Sequence, residues 1–213
     1  MSTVAPVTVV VLAKRPRPGA VKTRLCPPCT PAEAAALAEA ALYDTLDHVR
    51  EAAVATRVVA VDEPDRFPPP VGFVVTGQAP GGLDARLAAA AVAAGGPVLL
   101  IGMDTPQADT ALIDDAASRL LTTGVDAVLG LAVDGGYWIV GLRTPRPAHF
   151  LGIPMSRSDT GRAQLARLNA HGLRVDVLPE LRDVDDFHDA RAVAADAPGT
   201  RFARAVDALR IPA

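Results

Sequence analysis

Five basic residues fall within eleven positions of the segment Ala13-Lys14-Arg15-Pro16-Arg17-Pro18-Gly19-Ala20-Val21-Lys22-Thr23-Arg24-Leu25. Cations on a stretch held open by two prolines and a glycine suit a polyphosphate, whose oxygens need several donors and whose charge needs neutralising. The spacing is not that of a P-loop, since G-x-x-x-x-G-K-[ST] is absent. A solvated basic loop is the plain alternative. Further along, Gly102-Met103-Asp104-Thr105-Pro106 sets one carboxylate where an apolar run stops. Asp109 or Thr110 fits better as the cap of the helix that follows. Asp104 is thus available to a hard cation such as Mg²⁺, which takes one or two carboxylates plus substrate phosphates. Asp183-Val184-Asp185-Asp186 places three acids in four positions. They repel one another unless a cation or a helix N-terminus neutralises them. The run reads either as the N-cap of a final helix or as Asp185, with Asp183, completing a metal site opposite Asp104.

Other segments speak less clearly. Asp134-Gly135-Gly136-Tyr137-Trp138 fits a hairpin turn, and fits equally a pocket wall where backbone approaches a ligand closely. Gln78 to Arg86 combines an amide with Gly81-Gly82 and Arg86, a weak signal for reading a base edge. Cys26-Pro27-Pro28-Cys29 has the spacing of redox and zinc sites. Zinc needs four ligands, however, and His48, His149, His171 and His188 are scattered without ligand spacing. No G-x-S-x-G supports a serine nucleophile.

These residues need elements to hold them. Val7 to Ala13, apolar apart from Thr8, reads as a strand buried on both faces. Thr30-Pro31-Ala32-Glu33 is a capping box that opens a long helix, expected to reach about Ala55. Strands are expected at Val58–Asp62, Val71–Thr76, Pro97–Ile101, Ala127–Val133, Tyr137–Leu142 and Leu173–Leu178. Helices are expected from Gly82 to near Gly95, from Asp109 to Thr123, from Thr160 to Asn169 and from Asp185 onward. Strands alternating with helices imply an α/β fold: a three-layer, Rossmann-like, mostly parallel sheet with helices on both faces. Ligands of such sheets sit beyond the carboxyl ends of the strands, where the basic loop and the acids fall.

The chain has 213 residues, half of them apolar and 21% charged, which is enough for a sizeable core. We expect a single domain over residues 1–213. With 21 basic and 24 acidic side chains there is no global field for nucleic acid or an anionic membrane. No apolar run approaches the roughly 18–20 residues that span a bilayer. Two cysteines provide no disulfide framework. The expectation is a cytoplasmic protein, monomer or homodimer, acting on small molecules.

In this order, the motifs at 13–25, 102–106, 134–138 and 183–185 resemble the DUF2064 family of the nucleotide-diphospho-sugar transferase superfamily, nearly end to end. The family usually continues its late motif as Thr-Pro-x-Asp-Leu, where this chain has Asp186-Phe187-His188-Asp189-Ala190. The resemblance implies the nucleotide-diphospho-sugar transferase fold and a metal-assisted nucleotide site. The superfamily holds both sugar transferases and nucleotidyltransferases. The very basic first loop with a single strand-end aspartate is similar to the guanylyltransferases of deazaflavin and molybdenum cofactor assembly. Many sugar transferases of this fold use an Asp-x-Asp pair instead.

The expected reaction is therefore nucleotidyl transfer from a nucleoside triphosphate to a small phosphorylated or hydroxylated acceptor, with release of pyrophosphate. Glycosyl transfer from an NDP-sugar is the alternative, and a non-catalytic nucleotide-binding module the third reading. Lys22, Arg24 and Asp104 are the expected catalytic residues. Leu12, Ala13, Lys14, Gly19, Lys22, Arg24, Gln78, Gly81, Gly82 and Arg86 are expected at the nucleotide. Asp134, Gly135, Gly136 and Tyr137 are expected at the acceptor. Mg²⁺ or Mn²⁺ is expected on Asp104 and Asp185, with Asp183.

Overall fold

The first strand, β1 (Ala5–Ala13), lies near the middle of a seven-stranded sheet. Val7, Val9 and Val11 face one layer of helices and Val10 the other, all essentially excluded from solvent. That two-sided burial is why the segment is continuously apolar rather than alternating. The computed structural model describes residues 4–209.

The remaining strands are β2 (Val54–Val61), β3 (Val74–Gly77), β4 (Val98–Gly102), β5 (Ala127–Ala132), β6 (Tyr137–Leu142) and β7 (Val175–Leu181). Their order is β3-β2-β1-β4-β6-β5-β7. Only β6 runs against its neighbours β4 and β5 among the described residues. The α/β, mostly parallel expectation holds. The helices are α1 (Pro31–Glu51), α2 (Leu83–Ala93), α3 (Thr110–Leu121), α4 (Thr160–Ala170), α5 (Phe187–Asp196) and α6 (Arg201–Asp207). α1 and α3 cover one face of the sheet and α2 and α4 the other. α5 and α6 stack on the outer side of α1 around Leu37, Val193 and Phe202.

Capping decides the helix starts. The Thr30 hydroxyl accepts from the Glu33 N–H, and the Glu33 carboxylate accepts from the Thr30 N–H at 2.8 Å. Asp109 accepts from the Leu112 N–H at 2.9 Å, so it caps α3 and leaves Asp104 free of that task. The end of α1 differs from expectation. The helix stops at Glu51, and Val54 already pairs with β1. Alanine-rich residues 52–55 could continue a helix, but the Ala53 N–H is taken by Asp114 at 2.8 Å and the sheet claims Val54. Tertiary pairing overrides local propensity here. No helix among the described residues is long and apolar enough to cross a membrane.

Candidate functional site

The carboxyl ends of β1, β3, β4, β5 and β7 open onto one cleft of about 760 Å³. This is the edge where open α/β sheets place their ligands. Its size is that of an ordinary small-molecule site.

The basic loop after β1 divides into two parts. Arg15 and Arg17 both hold Glu63, at 2.7 and 2.8 Å, which fastens the loop to the segment after β2. Lys14, Lys22 and Arg24 line the cleft. Lys22 has left-handed backbone (φ 49°), a conformation that a side-chain-bearing residue keeps only where surrounding structure enforces it. The turn drives its side chain inward until only 11% stays exposed. Its ammonium lies 2.7 Å from Asp104 Oδ1 and also donates to the Val184 carbonyl. Arg24 reaches Asp185 Oδ2 at 2.7 Å. Lys22 and Arg24 therefore point at acids more than eighty residues away in the chain.

The acids form two groups. Asp134, Asp183 and Asp185 each offer a carboxylate oxygen within 4.8 Å of the others. Asp104 stands beside them, bonded to Lys22 rather than gathered with the three. The Val184 N–H donates to the Asp104 carbonyl at 3.1 Å, so the end of β4 and the 183–185 segment are tied directly together. Burial pushes Asp183 up to about 6, and the nearby Asp134 and Asp185 carboxylates push the same way, while Lys22 opposes them. Three crowded carboxylates with too little positive charge form a hard-oxygen cluster suited to a divalent cation. Of the residues expected at the metal, Asp183 and Asp185 lie together with Asp134, a residue expected at the acceptor, while Asp104 carries the ion pair to Lys22.

Of the other expected residues, Leu12, Ala13, Gln78, Arg86, Gly136 and Tyr137 line the cleft. Gln78 is used structurally: its amide nitrogen donates to the carbonyls of Ala13 at 2.7 Å and Ala60 at 3.0 Å. Only its oxygen is left, and that accepts from Arg86 at 3.4 Å. Gly81 and Gly82 form the turn into α2, and Gly19 turns the basic loop with a φ of +75°; none of the three lines the cleft. Asp134 to Gly136 is the β5–β6 hairpin turn, and Asp134 and Gly136 also line the cleft. The Tyr137 hydroxyl donates to Gln164 at 3.3 Å, and burial raises its pKa far above the ordinary phenol value. Cys26 and Cys29 are free thiols, and burial pushes the Cys29 pKa upward, away from reactivity.

The sequence reading did not single out Met155-Ser156-Arg157-Ser158, which lines the wall beside Asp134. Nothing in its composition stands out. The available signal was Gly135: its φ is +90°, and a Cβ there would lie 2.0 Å from the Ser158 carbonyl oxygen. A glycine demanded by close approach of another segment marks a packed junction.

The fold is shared with solved nucleotide-using transferases. A protein from Desulfovibrio desulfuricans G20, provisionally described as a nucleotide-diphospho-sugar transferase, is 26% identical, with a TM-score of 0.84 over 94% of this chain and 92% of that one. CMP:2-keto-3-deoxy-manno-octonic acid synthetase, solved with CTP, is 12% identical with a TM-score of 0.57, over 89% and 98% of the two chains. A mannosyltransferase from Pyrobaculum calidifontis, solved with GDP-Man and Mn²⁺, is 14% identical with a TM-score of 0.52, over 97% of this chain and 65% of that one. No curated protein matches in sequence. The family model DUF2064, described as an uncharacterized protein conserved in bacteria, matches residues 45–157, which include Asp104 and Asp134. The chain belongs to the DUF2064 family.

Proposed function

We propose that this protein is a divalent-metal-dependent nucleotidyltransferase, joining a nucleoside monophosphate from its triphosphate to a small acceptor and releasing pyrophosphate. The observation that carries this is the cleft itself: Lys14, Lys22 and Arg24 on one wall face Asp134, Asp183 and Asp185 on the other. Mg²⁺ or Mn²⁺ would be held by those three carboxylates, all hard oxygen donors. Bound there, the ion supplies charge that neutralises the reacting phosphate.

The chain's own residues account for the rest. Lys14, Lys22 and Arg24 neutralise the β- and γ-phosphates as they depart as pyrophosphate. Asp104 holds the Lys22 ammonium at the position where that charge develops. Catalysis is then mostly positioning and electrostatic stabilisation, with little need for a protein base. Pyrophosphate carries more charge than a departing nucleoside diphosphate, and three cations on one loop match the larger charge better.

Glycosyl transfer from an NDP-sugar is the second reading, favoured by the likeness to the Desulfovibrio protein. It uses the same cradle and yields free nucleoside diphosphate. The discriminating assay incubates the protein and Mg²⁺ or Mn²⁺ with each nucleoside triphosphate, or each NDP-sugar, and a panel of phosphorylated and neutral acceptors. Pyrophosphate release that requires the ion, and that falls about 10²–10³-fold in Lys22→Ala, is expected. Release without a divalent ion, or undiminished release by Lys22→Ala, rejects the scheme. Nucleotide binding that ignores the metal, with no turnover, would identify a non-catalytic binding module.

A further inference from the structure

The wall formed by residues 155–158 is not used by the donor scheme. Among the described residues, the cationic side chains lining the cleft are Lys14, Lys22, Arg24, Arg86 and Arg157. The first three belong to the phosphate wall, and Arg86 is tied to the Gly81 carbonyl at 3.0 Å. Arg157 stands on the other side, 63% exposed, with Asp159 as its ion-pair partner at 3.1 Å, in solvent. An exposed pair of that kind holds a side chain only weakly. It yields readily to a better anion.

The backbone beneath Arg157 is far more firmly held than the side chain. Its N–H donates to Thr160 Oγ1 at 3.1 Å, and that hydroxyl donates onward to the Pro154 carbonyl at 2.9 Å. The Gly161 N–H donates to the Gly135 carbonyl at 2.8 Å. The Ser158 carbonyl packs onto Gly135 too closely for any Cβ. Ser156 is held in the left-handed region (φ 59°), as is Lys22 (φ 49°); these are the non-glycine residues of positive φ among those described, and both line the cleft. Arg157 is thus anchored beside the turn that carries Asp134, one of the three clustered carboxylates.

We propose that Arg157, with the exposed hydroxyls of Ser156 and Ser158, forms the binding site for an anionic group on the acceptor, a phosphate monoester or a carboxylate. This rests on the transferase reading and adds the acceptor's chemical class to it. The charge argument is direct. An anionic acceptor approaching Asp134, Asp183 and Asp185 meets three negative groups. A cation on the same wall offsets that repulsion, and a guanidinium matches a two-oxygen anion in a bidentate manner. An uncharged acceptor would take hydrogen bonds from an arginine here but meets no repulsion for it to offset, so the cation favours an anionic one.

The test is a site-resolved titration of the full chain by amide NMR, with inorganic phosphate in one series and acetate in another, in the presence of Mg²⁺. The amides of residues 156–158 should shift along a saturable curve. In Arg157→Gln the midpoint should weaken about tenfold or more, as expected for loss of a charge-assisted contact. Arg157→Lys should restore part of it. The Lys14 and Lys22 amides should keep their own midpoint in both variants. Saturation by phosphate alone assigns a phosphate monoester, and saturation by acetate assigns a carboxylate. No saturable shift at 156–158 with either anion, or an unchanged midpoint in Arg157→Gln, overturns the proposal. Shifts at Lys14 and Lys22 on adding a nucleotide report the donor reading separately, so the two can fail independently.

Discussion

Replacing Asp183 by asparagine should make the metal-free protein more stable, although it removes a residue assigned to function. Asp183 is raised from the ordinary aspartate value of 3.8 to about 6, first by burial and then by Asp134 and Asp185. The folded chain therefore holds this proton more tightly than the unfolded chain. Folding is disfavoured as pH rises from about 4 to about 6, and the penalty stays constant above that. At about 1.4 kcal/mol per pH unit the displacement corresponds to about 3 kcal/mol at most. Solvent reaching this partly buried carboxylate reduces it to about 1–2 kcal/mol. For a chain of this size that is about 3–6 °C in melting temperature.

The assay is thermal unfolding of wild type and Asp183→Asn in chelator at pH 7.5 and pH 4, repeated at pH 7.5 with Mn²⁺. In chelator at pH 7.5 the variant should melt higher, and at pH 4 the gap should largely close. With Mn²⁺ at about a hundredfold its dissociation constant the wild type should gain about 2.7 kcal/mol, and the variant little. The order then reverses. A variant less stable than wild type in chelator at pH 7.5, or one that gains as much from Mn²⁺, refutes the idea that these carboxylates are crowded for a cation.

Three further outcomes follow from particular contacts. Arg24 holds Asp185 at 2.7 Å, so Arg24→Ala should raise Mn²⁺ affinity without nucleotide about two- to fivefold by calorimetry, and weaken nucleotide affinity about tenfold. Gly135→Ala places a Cβ 2.0 Å from the Ser158 carbonyl at a φ of +90° and should lower stability by about 2 kcal/mol or more; an unchanged urea midpoint contradicts that packing. His149 is buried, and burial first, then His171 and Arg146, hold its pKa below the ordinary 6.5. The unfolded chain takes the proton first, so stability should be complete above pH 6.5 and decline below it. His149→Gln should flatten that slope in urea titrations between pH 7 and pH 5.

The parts of the site that could be read from sequence were those whose chemistry conflicts with their local surroundings. Five cations after a buried strand exceed what a turn needs, and of the three acids in four positions only Asp186 is used locally, as the N-cap of α5, so the cations and the other two acids point to partners elsewhere in the chain. Which partner each one meets could not be read, because that depends on strand order. Asp104 and Asp134 both end strands. The antiparallel β6 sits between β4 and β5, and the β5–β6 turn carries Asp134 to the carboxylates beyond β7, while Asp104 meets Lys22. Nothing local to either aspartate encodes that difference. The segment 155–158 was invisible for the converse reason. An exposed arginine between two serines is ordinary surface composition, and its placement depends on contacts with a turn more than twenty residues earlier in the chain. The glycine on the other side of that contact is the readable half of the junction, since a left-handed backbone with no room for a Cβ limits the residue type, whereas an exposed side chain facing a cleft does not.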